Sequence, residues 1–465
     1  MAKYIRLGSF SKNSKYIFIT IFFKLLTNSI FGIKYNINIK MYKYFKIINT
    51  DWQEFISIHS TIHKFFCYVI ILILSGILYK YETKLAKSDS LIRNTERISN
   101  LSAIKLIHND GNPDLLKKSP QIVILIISIW ISAEILMTLY YRIGLRDLDF
   151  WMFELLIISY LNSKMFKLKI YKHHKVAIYF NVIACSILKF SSFLISFFQE
   201  HSLYYEYVYY IPIGIIYYFM ILFLRAYSIN KLKWLMDLKY IAPSKILMIT
   251  GIIGIVMYLI VCLVSTYVKC LTVDFSPNLC RILSRDYKEN YYENFIIYFE
   301  SLREFPTTEI VLEILTVLFG SISYFAYYFF YILVIKYLTP VHLSFTNSIY
   351  YFFLHLILFI NNKLSKEKSD SSFNYYKFFV DILCESLSFI GFLIYLEIIE
   401  LYFCKLYYDL KKYIIRRSII DIDGNFSIDD TSTIMDDNNQ EKDDENIFNC
   451  NKKVSELTQK KKNNI

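Results

Sequence analysis

Residues 243–269, PSKILMITGIIGIVMYLIVCLVSTYVK, constrain the fold more than any other stretch. The run holds no acidic group and is long enough to cross a hydrocarbon core of ~30 Å at ~1.5 Å per helical residue. Arg225, Lys231, Lys233, Lys239 and Lys245 precede or open it, so its N-terminal end is expected in the cytosol. Gly251 and Gly254 fall on one face, where a second helix can approach closely. Similar apolar runs occur on both sides of it, as two half-sets of membrane helices.

The chain is 55% hydrophobic with a mean hydropathy of +0.35, which a water-soluble chain of this length would not carry in uninterrupted runs. The formal charge of +12 does not point to nucleic acid, because the Lys and Arg residues sit between the apolar runs, where topology accounts for them. Eight cysteines are scattered with no C-x-x-C pair, so neither a zinc site nor a redox motif is supported and no cofactor is expected. The N-terminus lacks a compact apolar core ending in a small-residue cleavage site, so the first run is expected to remain as an anchor.

The expected class is an all-α membrane protein with about ten transmembrane helices. The spans are 15–33, 62–80, 121–141, 150–166, 176–198, 208–227, 243–269, 310–337, 343–360 and 379–404. Lys24 and Asn28 make the first the weakest. Residues 34–60 read as a polar, aromatic connector, an amphipathic helix on the membrane surface being one form of it. Residues 81–120 form a hydrophilic loop with no periodic apolar face. The basic loop KMFKLKIYKHHK (164–175), the segment 225–245 and the flank after the tenth span fit the cytosol, with both termini there. Three units follow: a first five-helix half (1–198), a second (199–417) and a disordered charged cytosolic tail (418–465). Cys270 and Cys280 lie in the loop 270–306 on the non-cytosolic side, where a disulfide could close it; two unpaired thiols are the alternative.

An ionisable group inside a span is costly unless it faces a partner or a water-filled cavity. Trp130, Glu134, Thr138 and Tyr141 make one helical stripe, and Glu154 and Asn162 lie two turns apart in the next span. Asn181, Cys185, Lys189 and Ser192 make another, as do Glu313, Thr316, Gly320, Ser323 and Tyr327. The ninth span offers Ser344, Ser348, Tyr351 and His355, and the tenth Asp381, Glu385 and Ser388. Stripes in both halves point to a shared cavity, although polar residues also glue helices together. The deepest ionisable groups, Glu134, Glu154, Lys189, His355 and Glu385, are the candidate substrate-binding residues. Lys189 is the expected positive contact. The carboxylates outnumber it, which suits a cation, a zwitterion or proton coupling. His173 and His174 complete no metal or acyltransferase signature, and no phosphate loop or Ser-His-Asp set is present, so an enzyme is not expected.

Over 121–404 the order of features resembles the drug/metabolite transporter superfamily, in particular the nucleotide-sugar-transporter-like solute carriers of family 35, subgroup F. The likeness rests on KLKIYKHHKVAIYFNVI before and within the fifth span, TGIIG at 250–254, VIKYLTPVH at 334–342 and SFIGFLIYLE at 388–397. It implies ten helices in two inverted five-helix repeats and secondary transport of a small organic solute in an intracellular endomembrane. Ile252 and Ile253 stand where that family carries a seventh-helix Glu, and only His342 and His355 stand near the family's basic ninth-helix position. Both departures argue against a nucleotide sugar, since a dianion wants Arg or Lys in the cavity. The expected partners are a small-molecule solute and membrane lipid, with no nucleic acid; a homodimer is compatible with the sequence. The other class considered is a non-transporting polytopic protein, a scaffold or a lipid-modifying enzyme, which would leave the polar stripes scattered among separate helix contacts.

Overall fold

The computed structural model describes residues 5–7, 15–44, 60–88, 119–142, 152–166, 171–199, 211–238, 241–267, 282–283, 290–291, 295–304, 306–364 and 375–401. They are almost all helical: α1 (Lys15–Tyr44), α2 (Ser60–Ser88), α3 (Ser119–Arg142), α4 (Met152–Phe166), α5 (Lys172–Gln199) and α6 (Ile211–Leu238). There follow α7 (Pro243–Tyr267), α8 (Phe295–Glu304), α9 (Thr307–Tyr337), α10 (Pro340–Leu364) and α11 (Tyr375–Tyr395). Four short strands complete the described part, β1 (Ile5–Leu7), β2 (Ile282–Leu283), β3 (Asn290–Tyr291) and β4 (Ile399–Leu401). All of these fall in one compact unit, Met1–Leu406. The tail expected to be disordered, and Cys270 and Cys280, lie outside the described residues.

Among the described residues six helices are long and apolar enough to cross a membrane: α1, α2, α3, α6, α7 and α9. Their surfaces are those of a membrane protein. Helix α7 turns Ile252, Val256, Leu259, Ile260, Leu263 and Val264 outward, while Gly251, Gly254, Ser265 and Thr266 are buried. Apolar chains outside and small or polar ones inside reverse the pattern of a water-soluble helix, because lipid needs no hydrophobic core to hide from.

Helix α1 packs on α9 and α10, α2 on α7 and α9, and α3 on α6 and α7. Helix α4 packs on α5, α6 and α10, and α11 packs on α5 and α10. The α2/α7 pair is antiparallel: Ser244 donates to Glu82 (2.5 Å), a Cβ at Gly251 would lie 2.8 Å from Leu72 Cα, and one at Gly254 would overlap the Tyr68 ring. The close approach expected of Gly251 and Gly254 is therefore made, with α2 as its partner. Glu82 thereby sits at the N-terminus of α7, where a carboxylate is favoured. The α5/α11 pair is also antiparallel, with Asn181 against Ser388 and Cys185 against Cys384. In α1/α9, Tyr16 stacks on Tyr337 and Phe23 on Phe330, while Phe31 lies at Gly320.

Several boundaries differ from the sequence reading. Helix α1 continues to Tyr44, so the first part of the expected surface connector is an extension of the first span. Helix α2 continues to Ser88, because 81–88 hold neither Gly nor Pro to stop it. Helix α11, the expected tenth span, ends at Tyr395, where a turn with Glu397 at φ 59 leads into β4. β4 pairs antiparallel with β1, Ile5 opposite Leu401 and Leu7 opposite Ile399. The largest change is α6, which runs to Leu238 and so places Arg225 near its middle instead of at its cytosolic end.

Candidate functional site

Tyrosines at 324, 327, 328 and 331 recur at helical spacing in α9 and so share one face. They meet Tyr68 of α2 and Trp130 of α3. Trp130 stacks on Tyr331 with ring centroids 5.5 Å apart, and the Tyr324 and Tyr328 rings lie 4.6 Å apart. Glu134, one helical turn after Trp130, points into this group. Its Oε2 accepts a hydrogen bond from the Tyr68 hydroxyl at 2.9 Å, and its Oε1 accepts one from Tyr328. The network extends outward: Tyr324 donates to the Tyr328 hydroxyl (3.0 Å), and Lys64 Nζ donates to the Tyr324 hydroxyl (2.7 Å). Two phenol donors replace the water that a carboxylate loses among apolar helices.

Beside this group α4 and α6 bring an ion pair. Arg225 Nε lies 3.0 Å from Glu154 Oε1, and the Glu154 side chain is almost fully buried. Glu154 stands in the first turn of α4, where the helix dipole favours a negative charge. The guanidinium is also within electrostatic reach of Tyr331, Tyr327 and Glu134. Glu134 and Glu154, separate in the sequence, thus belong to one constellation with Arg225.

Lys189 and Glu385 belong to the α5/α11 pair. Asn181 Nδ2 donates to Ser388 Oγ (2.6 Å) and to its carbonyl (3.2 Å), and Gly391 leaves room for Asn181. One turn on, Cys185 Sγ donates to the Cys384 carbonyl (3.4 Å), and Cys384 Sγ donates to the Cys185 carbonyl oxygen (3.9 Å). The charges of Lys189 and Glu385 both act on Cys185, so both stand near the Cys185–Cys384 contact. His355 lies on α10, but its side chain is outside the described residues.

A third group caps the end of the bundle where α5 starts and α11 stops. The Tyr395 ring lies between His174 and His342, with centroid distances of 4.8 and 4.9 Å. His174 Nε2 is 3.4 Å from Glu397 Oε1. His342 Nδ1 accepts the Thr339 N–H at 3.3 Å, and burial with the nearby His174 and Lys233 charges holds its imidazole far below the usual range, at about 3. The buried His173 accepts the Leu401 N–H through Nε2 at 3.4 Å and so anchors β4. Among the described residues no group of three or more His, Cys, Asp or Glu is placed to hold a metal ion.

Arg225, Tyr68, Tyr328 and Tyr331 went unread in the sequence as site residues. The tyrosine spacing in YFAYYFFY (324–331) was an available signal, diluted by 42 tyrosines in the chain. Arg225 gave none, because an Arg beside a polar Ser-Ile-Asn-Lys run looks like a helix flank. No family model matches this chain, and no curated protein matches it either.

Proposed function

We propose that this protein is a secondary transporter that moves a small organic solute across a membrane by alternating access. The observation that carries the reading is the Glu134–Glu154–Arg225 constellation: three ionisable groups from three helices, gathered with a tyrosine wall deep inside an apolar bundle. Charge buried at that depth is expensive and marks pathways for solutes and ions by default.

Ten spans in two inverted repeats fit the helix packing. Take α1–α7 and α9–α11 as spans one to ten and exchange each span for the one five places away. The α1/α9 contact then becomes α3/α6, α2/α9 becomes α3/α7, α4/α6 becomes α1/α10, and α4/α5 becomes α10/α11. The α2/α7, α4/α10 and α5/α11 contacts map onto themselves. A two-fold axis lying in the membrane plane would give this pattern, with the solute site near the axis. Pairing of β1 with β4 agrees with an even number of crossings, since it holds the two ends of the bundle on one face. The resemblance to the drug/metabolite transporter superfamily and an endomembrane location go with this reading.

The test is reconstitution of the full chain in liposomes and a counterflow screen of metabolites, with Glu134→Gln and Glu385→Gln as the first variants. Loss or uncoupling of transport in variants that still insert supports the reading. Wild-type rates and pH dependence in both would make the carboxylates structural, and a wild-type protein that exchanges nothing would end the proposal.

A further inference from the structure

We infer that Arg225 is the anchor for the carboxylate of a zwitterionic solute whose ammonium group is received by Glu134. The inference rests on the transport reading and names its substrate class. Helix α6 exposes Ile213, Ile216, Met220 and Phe223 as a lipid-facing stripe. At ~100° per residue Arg225 lies roughly 160° from the centre of that stripe, so it faces the bundle interior. Its side chain nevertheless keeps 23% of its accessible surface, while that of its partner Glu154 keeps 3%. The inward-facing side chain therefore keeps free surface that Glu154 does not cover.

A guanidinium carries five N–H donors in a planar fork that matches a carboxylate. Glu154 lies at Nε, and among the described residues no hydrogen bond is made by the two terminal nitrogens. The Tyr331 hydroxyl, on the facing helix α9, is buried and likewise has no hydrogen-bond partner among the described residues. It is among the groups closest to Arg225 in electrostatic effect. Donors from α6 and α9 therefore stand near each other with no acceptor among the described residues; that of Tyr331 is buried, and a buried donor left so is costly enough to need an explanation.

Charge decides what kind of acceptor fits. A simple anion at Arg225 would stand against Glu154 and Glu134, and a simple cation at Glu134 would stand against Arg225. A zwitterion lets the signs alternate from Glu154 through Arg225, the solute carboxylate and the solute ammonium to Glu134. The aromatic wall around Glu134 accepts a cation in the protein itself: Lys64 Nζ stands 4.1 Å from the Tyr324 ring centroid. Tyr327, half-buried on the same face of α9, offers apolar surface for the body of the solute, backed by the buried rings of Trp130 and Tyr331.

Three probes with one phenyl body separate the charges: phenylalanine, phenethylamine and 3-phenylpropionate. Binding to the full chain in nanodiscs, measured by titration calorimetry, is expected to be at least tenfold tighter for the zwitterion than for either singly charged analogue. Arg225→Lys keeps the ion pair but loses the fork. It should weaken phenylalanine at least tenfold and leave phenethylamine within twofold. Glu134→Gln should weaken phenylalanine and leave 3-phenylpropionate within twofold. Equal affinity for the three probes, no binding of any, or an Arg225→Lys protein that binds phenylalanine like the wild type each overturns the inference. A solute that exchanges in counterflow with a rate untouched by Arg225→Lys would keep the transport reading and sink this one.

Discussion

Arg225 of α6 and Glu154 of α4 stand 3.0 Å apart, with the Glu154 side chain almost fully buried and that of Arg225 mostly so. The pair also sets the register of the two helices, which run parallel: Phe153 packs on Phe219, and Asn230 reaches the Ile158 carbonyl at 3.5 Å. Breaking one partner leaves the other charged, buried and unpaired.

Arg225→Gln or Glu154→Gln alone should therefore cost about 3–5 kcal/mol of stability, and the double replacement clearly less than the sum of the two. Thermal unfolding in detergent, run as a double-mutant cycle, measures this. Additive losses would mean that the pair contributes nothing as a pair.

Gly254 ties helix packing to the site, because the Tyr68 ring that covers it carries the hydroxyl bonded to Glu134. Gly254→Val should cost about 1–3 kcal/mol by overpacking and should also disturb the Glu134 site. Gly76 on the facing helix has nothing within 4 Å of an added Cβ, so Gly76→Ala should be neutral or stabilise by up to about 1 kcal/mol. Comparison of the two melting temperatures decides the matter; equal effects would deny the close approach.

The sequence made the long helices legible where lipid alone shapes them. Helix α7 is readable from its apolar run and its two glycines because both features act locally. Arg225 was not readable, since its depth depends on where α6 ends. Ser228 Oγ and Asn230 Nδ2, in what looks like the start of a loop, donate back to the Arg225 and Ala226 carbonyls, at 2.8 and 2.9 Å, and the helix carries on. The polar stripes on α5 and α11 were visible separately. Their pairing was not, because residues about two hundred positions apart meet only through the packing of the whole bundle.

That pairing can be tested covalently. Cys185 and Cys384 are both buried free thiols on facing helices. If the chain is expressed as two pieces, 1–198 and 199–465, with the other cysteines replaced by Ser, mild oxidation or a thiol-bridging reagent should join the pieces. The link should vanish in Cys185→Ser. Two pieces that insert together yet never cross-link would refute the antiparallel α5/α11 contact.

The last prediction concerns pH at the capped end of the bundle. His342 stands in the first turn of α10, ahead of the apolar run 343–360, and its Nδ1 accepts the Thr339 N–H and lies 2.8 Å from the Thr339 hydroxyl. Burial, with His174 and Lys233 nearby, lowers its pKa to about 3, against ~6.5 for an unconstrained imidazole. Between those values the unfolded chain binds a proton that the folded chain refuses, so unfolding takes up a proton there. The stabilisation is complete above pH ~6.5 and declines as pH falls toward 3, by up to about 1.4 kcal/mol per pH unit. His342→Gln removes the titrating group. Its melting temperature should fall less steeply than that of the wild type between pH 6.5 and 4.5, while the carboxylates common to both proteins contribute the same slope. Parallel pH profiles for the two proteins would show that His342 is protonated as readily in the fold as outside it.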